Sequence, residues 1–172
     1  VMATVTINYG TKTTITIGLA TTPLASNSTL VAGRESNEID NTTNKYDDAF
    51  VQGKVTVGTS PTSSTQIQVW VWGSDASAAT NNLDQIDGVD SDETLTSTGI
   101  RDGFLKLGAT VSVDSTTSNR TYFIGAFSVA QLFGGNMPKY WGLWVTHNTG
   151  VALNSTASNH EFTYVGIKYD VA

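Results

Sequence analysis

Residues 138–150 read PKYWGLWVTHNTG. In an extended chain the side chains alternate between two faces. Tyr140, Gly142 and Trp144 then share one side, and Trp141, Leu143 and Val145 the other. Both sides are apolar, which marks a central strand covered on both faces. Pro138 opens the run and Asn148-Thr149-Gly150 closes it as a turn, leaving His147 at a strand end. QIQVWVWGS at 66–74 behaves alike, with Ile67, Val69 and Val71 on one face and Gln68, Trp70 and Trp72 on the other. If the valine face is core, Trp70 and Trp72 point away from it. Exposed, they would stack on sugar rings or anchor a protein partner. Covered by loops or a neighbouring subunit, they are a second core layer. Tyr140, Trp144 and His147 join Trp70 and Trp72 as candidate contact residues, and the two apolar faces of 140–145 favour core or subunit interface over a sugar platform.

Outward from these runs the pattern repeats. ATVTINYG places Val5 and Ile7 together, and TKTTITIG aligns Ile15 with Ile17 across an interruption at Gly10, as a hairpin or as one long bent strand. Val55 and Val57 alternate with Lys54 and Thr56. FLKLGATVSV alternates through Leu105, Leu107, Ala109, Val111 and Val113, and RTYFIGAF and EFTYVGIKYDV read as further strands. SVAQLFGG reads as one or two helical turns, capped by Ser128 and ended by Gly134-Gly135. Residues 73–103 form the longest irregular segment, of a length that is often functional. About eight or nine short strands with turn punctuation predict a single all-β domain over 1–172, a jelly-roll-like two-sheet sandwich. No blade-length repeat suggests a propeller.

Composition agrees. The 172 residues include 27 threonines and only 14% charged residues. Threonine suits a pleated surface facing water. The net charge of −6 argues against nucleic acid, which calls for clustered cations, and against an anionic membrane surface. No cysteine is present, so thiolate chemistry and disulfides are excluded. VMATVTINYG lacks a basic segment followed by an apolar run, so no secretory leader is expected there.

Catalytic chemistry finds little purchase. His147 and His160 sit in no nucleophile motif, and no Gly-x-Ser-x-Gly elbow occurs. Asp40, Asp47, Asp48 and Glu161 are candidate paired carboxylates for glycoside hydrolysis. Asp84, Asp87, Asp90 and Asp92, with Glu93, form an acidic run that reads as a solvated surface and raises the question of calcium, although the spacing is not that of an EF-hand.

Longer phrases carry more. AGRES (32–36), DNTTN (40–44), STGIRDG (97–103), LFGG-x-x-P-K (132–139) and WVTHNTG (144–150) resemble a group of virion structural proteins of tailed bacteriophages, over about Ile7 to His160. The resemblance implies a component of the phage particle, a head decoration (cement) protein before a tail or fibre component, with no enzyme activity. The expected partner is the major capsid protein, on the virion surface after assembly in the host cytoplasm. A homo-oligomer is expected, a trimer first, since decoration sites often lie on three-fold axes. Residues 3–18 are a candidate docking arm that either adds a strand to a neighbour or pairs within its own sandwich. The alternative is a carbohydrate- or receptor-binding module of head or fibre.

Overall fold

The computed structural model describes residues 4–80 and 83–171. In chain order the elements are β1 (Val5–Tyr9), β2 (Thr13–Thr14), β3 (Ala32–Glu35), β4 (Ile39–Asp40), α1 (Asn41–Asn44), β5 (Asp48–Thr56), β6 (Thr65–Ser74), β7 (Asp92–Thr94), α2 (Thr98–Phe104), β8 (Lys106–Val113), β9 (Thr121–Ser128), α3 (Val129–Leu132), β10 (Tyr140–His147) and β11 (Glu161–Val171). Two antiparallel sheets result. The first, sheet A, runs β1-β11-β5-β9, with β2 also on β11; sheet B runs β7-β3-β10-β6-β8, with β4 also on β10. Set aside the short β2, β4 and β7, and renumber the rest along the chain. The sheets then read 1-8-3-6 and 2-7-4-5, which is the order of a jelly roll.

The alternating runs explain the packing. Ile67, Val69 and Val71 of β6 face Val51 and Val55 of β5 and Phe162 and Tyr164 of β11 across the inter-sheet core, with Trp141, Leu143 and Val145 of β10. Trp141 meets Tyr164 edge to face, with centroids 5.3 Å apart. Strand β10 is buried from Trp141 to His147 and pairs with β6 along its whole length, as its two apolar faces require. Consecutive β8 and β9 belong to different sheets and touch along one seam of the sandwich.

Local signals act where expected. The Ser128 side chain accepts from Gln131 N at 3.0 Å at the start of α3, and Gly134 and Gly135 end it with φ of 71° and 89°. The N-terminal segment is one bent strand and not a hairpin: β1 and β2 lie on successive parts of β11 on either side of Gly10. It pairs within its own sandwich; residue 3, where the expected arm begins, lies outside the described residues. The segment from residue 73 differs more. Gly73 and Ser74 still belong to β6, and the chain from Asp75 to Phe104 contains a 3-10 turn at Ala78–Thr80, β7 and α2. It is a folded flap, and it lies on the outer face of sheet B.

Candidate functional site

The two outer faces of the sandwich are built differently. On sheet B, Trp70 and Trp72 of β6 and Trp144 of β10 form a second core with Ala78, Ile86, Leu95 and Leu105 of the flap. Glycines make the bed for two of these rings. A Cβ at Gly142 would stand 2.5 Å from Trp72 Cζ2, and one at Gly33 2.6 Å from Trp144 Cε2. The rings therefore lie flat on the strand beside them, and the flap closes over them. Burying a ring of this size contributes at most roughly 4 to 6 kcal/mol.

Ionisable side chains fasten the flap. Arg34 of β3 donates to Asp90 Oδ1 at 2.7 Å and to Asp92 Oδ1 at 3.0 Å. Glu35 Oε1 accepts from the backbone N–H of Val89 at 3.1 Å and of Asp87 at 3.3 Å. Glu38 accepts from Ala78 N at 2.6 Å and Ser77 Oγ at 3.0 Å. On α2, capped by Ser97, Arg101 stacks its guanidinium 4.7 Å from the Trp70 ring centroid and donates to the Leu30 carbonyl at 2.7 Å. The Glu35 side chain is fully enclosed, and burial pushes its carboxyl up to about 9; the Asp87 side chain adds to this and the two backbone N–H groups oppose it.

Of the two arrangements open to Trp70 and Trp72, these contacts select the second core layer over the exposed platform. Both are buried, as is Trp144, and Tyr140 is half-buried against the same layer. The loops cover the second face. His147 is enclosed too: its Nε2 donates to the Leu24 carbonyl at 3.0 Å, and its bare Nδ1 lies 3.0 Å from Thr149 Oγ1, whose one proton also faces the Val151 carbonyl at 3.0 Å. That tautomer follows from the carbonyl, which can only accept. Burial drops the imidazole to about 4, the Leu24 carbonyl pulling the other way, so His147 is a neutral core group.

Nor does the acidic run converge. Asp84 accepts from the N–H and hydroxyl of Thr96, Asp87 from Val89 N, and Asp90 and Asp92 from Arg34. Among the described residues no group of three or more His, Asp or Glu is gathered where a cation could sit. Of the other carboxylates, Asp40 caps α1, Asp48 accepts from Ser128 Oγ and Ala130 N, and Asp47 accepts from Tyr169 N. Glu161 pairs with Lys12 at 3.1 Å on the surface.

Sheet A has no such cover among the described residues. On β11, Phe162 and Tyr164 point into the core, so Glu161, Thr163, Val165, Ile167 and Tyr169 point out, and of these Thr163 and Ile167 are themselves buried. Their ladder partners Lys54, Gln52 and Phe50 on β5 share that side, as do Phe123 on β9 and Ile7 and Tyr9 on β1. Exposure is high: Phe123 74%, Tyr9 66%, Val5 60%, with Ile7 and Tyr169 more than half exposed and Phe50 also open. Two shallow grooves cross this face. One, of about 260 Å³, is lined by Tyr9, Phe50, Gln52, Ala126 and residues 163–165. The other, of about 290 Å³, is lined by Phe123, Gln52, Lys54, Lys12 and Glu161. Large apolar side chains in water on one sheet face, rimmed by polar groups, are a feature that interaction surfaces share.

Reading the sequence singled out the arm 3–18 and the Glu161 carboxylate, but not Phe50, Phe123 or Tyr169, although a signal existed. In RTYFIGAF, Phe123 alternates against Tyr122 and Ile124, so one of these apolar sets has to face outward. The tryptophans drew the attention because they are rarer and larger. The phrases that carry the phage resemblance prove to be structural. AGRES holds the flap and, through Ser36 Oγ, the N–H of Leu143 at 2.9 Å. STGIRDG supplies the cap and Arg101. In WVTHNTG, Thr146 donates to the Ala32 carbonyl at 2.6 Å and Gly150 turns with φ 80°. No family model matches the chain, and no curated protein matches it.

Proposed function

We propose that this protein is a non-enzymatic component of a tailed-phage particle that binds the capsid exterior and stabilises it, with the outer face of sheet A as its docking surface. The observation that carries the reading is the asymmetry of the two outer faces. One has its tryptophans sealed by the chain's own flap, with Leu107 of β8 and Val89 and Ile100 of the flap left exposed there, while the other leaves Val5, Ile7, Tyr9, Phe50, Phe123 and Tyr169 in water. A lone apolar residue in water is ordinary; this many on one sheet face is not. The sequence phrases point to virion proteins, and the jelly roll is a fold that capsid components use, which is support by analogy only. The carboxylates and histidines that could have served catalysis are engaged in capping, flap fastening and structural hydrogen bonds, except Glu161, which pairs with Lys12 on the surface. Many copies on a symmetric shell would let modest contacts add through avidity.

The test is to add purified protein to particles that lack it and image the product by cryo-electron microscopy. Ordered density at regular positions on the head, with sheet A toward the shell, is the expected result. Density confined to the tail, or none, overturns the reading. A second reading, carbohydrate binding, rests on the aromatic groove between Tyr9 and Phe50. Saturation of the Tyr9 and Phe50 ring signals in NMR titrations with polysaccharide, without particle binding, would put it first.

A further inference from the structure

We propose that two copies of this chain pair through β1, antiparallel and about a two-fold axis at Ile7, so that sheet A continues from one copy into the other. Three observations converge on this edge. First, among the described residues β1 pairs on one side only, with β11. Gly10 N donates to Gly166 O at 2.8 Å. In an antiparallel ladder such pairs recur at every second residue, so Asn8 and Thr6 direct their backbone groups at β11. Val5, Ile7 and Tyr9 therefore direct their N–H and C=O groups away from it, as a donor and acceptor row turned outward.

Second, the strand is self-complementary. VTINY, turned about Ile7, sets Ile7 against Ile7 of the second copy and Val5 against its Tyr9, with both copies' apolar side chains on one face. Thr6 meets Asn8 on the other. The outward backbone groups belong to the residues that this register brings opposite each other, so each pair exchanges both hydrogen bonds.

Third, the edge is unguarded. Natural edge strands discourage pairing with a lysine, a proline, an inward charge or a bulge. Strand β1 has no charge and no proline, and its ladder to β11 runs without a shift. The nearest carboxylate, Asp170, sits on β11 and accepts from Asn8 Nδ2. Across the two-fold the two Asp170 strands would be three strand spacings apart, about 14 Å, beyond the ~10 Å Debye length at 0.1 M salt. No charge on β1 itself opposes the contact. It is isologous and closes at two copies, in place of the three expected from shell symmetry.

Light scattering on the full-length chain across a dilution series tests the proposal. The expected mass is twice the 18.2 kDa of one chain, with the amides of Val5, Ile7 and Tyr9 protected from hydrogen exchange. Ile7→Pro removes an outward N–H and leaves the ladder to β11 intact; Ile7→Lys adds a charge to the edge. Both variants should run as monomers with an unchanged circular dichroism spectrum. A monomeric or trimeric wild type, or a dimer that survives both substitutions, overturns the proposal. The capsid reading is separable: a monomer that still decorates particles sinks only the dimer, and a dimer that ignores particles sinks only the capsid reading.

Discussion

The outer faces of sheets A and B start from similar material and end differently. Each carries large apolar side chains on the side turned away from the inter-sheet core. On sheet B, tryptophans lie on glycines and the flap shuts over them. On sheet A, phenylalanines and tyrosines stand in water. The first face is spent on stability, while the second remains available for contact. The size of a side chain is thus a poor guide to whether it serves a partner; what decides is whether the chain has spare length to cover it, as it does between Asp75 and Leu105 and does not beside β5 or β9.

Substitutions can break this contrast, and the largest effect belongs on the covered face. Trp72→Ala should cost about 3 to 5 kcal/mol in urea unfolding, by opening a cavity that the flap cannot fill. An equal loss from Phe123→Ala would erase the difference between the faces.

Acid should come next. Unfolded His147 takes its proton near 6.5, whereas folded His147 waits until about 4. Between these values the unfolded chain binds more protons, so stability falls as pH drops through that window, by up to roughly 3 kcal/mol. His147→Gln should be less stable at neutral pH, yet it should lose this slope. A slope that persists in the variant would place the titrating group elsewhere.

Base acts on the covered face with the opposite sign. Glu35 keeps its proton to about 9 when folded and gives it up near 4.5 when unfolded. The folded chain binds more protons in between, so stability falls as pH rises through that range. The loss should be smaller than that from His147, because local lifting of the flap hydrates Glu35 before the sandwich opens. Hydrogen exchange in residues 83–105, corrected for intrinsic rates, should quicken with pH in the wild type and stay level in Glu35→Gln.

Arg101→Ala should loosen the flap by about 1 to 2 kcal/mol, through the lost ring contact and carbonyl bond. Exchange should rise in α2 while the inter-sheet core stays protected. Uniform loosening of both would mean that the flap and sandwich unfold as one unit.

The smallest stability effect should come from Phe123→Asp, within about 0.5 kcal/mol, together with a loss of particle binding of more than about tenfold. Binding that ignores this substitution would remove sheet A from the docking surface.

Much of the architecture was legible because β6 and β10 alternate without interruption and each is apolar on both sides. That placed β10 centrally and assigned every side chain of 67–72 and 140–145 to its face. The helix at 129–132 was legible from its serine and its glycine pair. Strands β3, β4 and β7 were not, because AGRE, ID and DET are short, polar or glycine-bearing, and their pairing is set by the neighbours they complete. The flap read as irregular because Ile86 and Leu95, which help seal the tryptophans, follow no helical or strand period. They are spaced by the path of a loop over a surface, and that path is a tertiary property. The candidate site was the least legible part. An outward Phe123 and a buried Trp70 both come from alternating strands, and alternation says which side a residue takes without saying whether anything lies over it.

The burial of all four tryptophans, 70, 72, 141 and 144, has an optical consequence. Intrinsic emission from this protein is a gauge of the sealed side and the interior. It should be blue when the flap is down and move to the red when the flap lifts. The face proposed for docking carries phenylalanine and tyrosine but no tryptophan, so docking there should leave the indole spectrum unmoved. A polysaccharide or a shell could therefore bind in full while the tryptophan signal reported nothing. Sight of that event belongs to the tyrosine rings at 9 and 169.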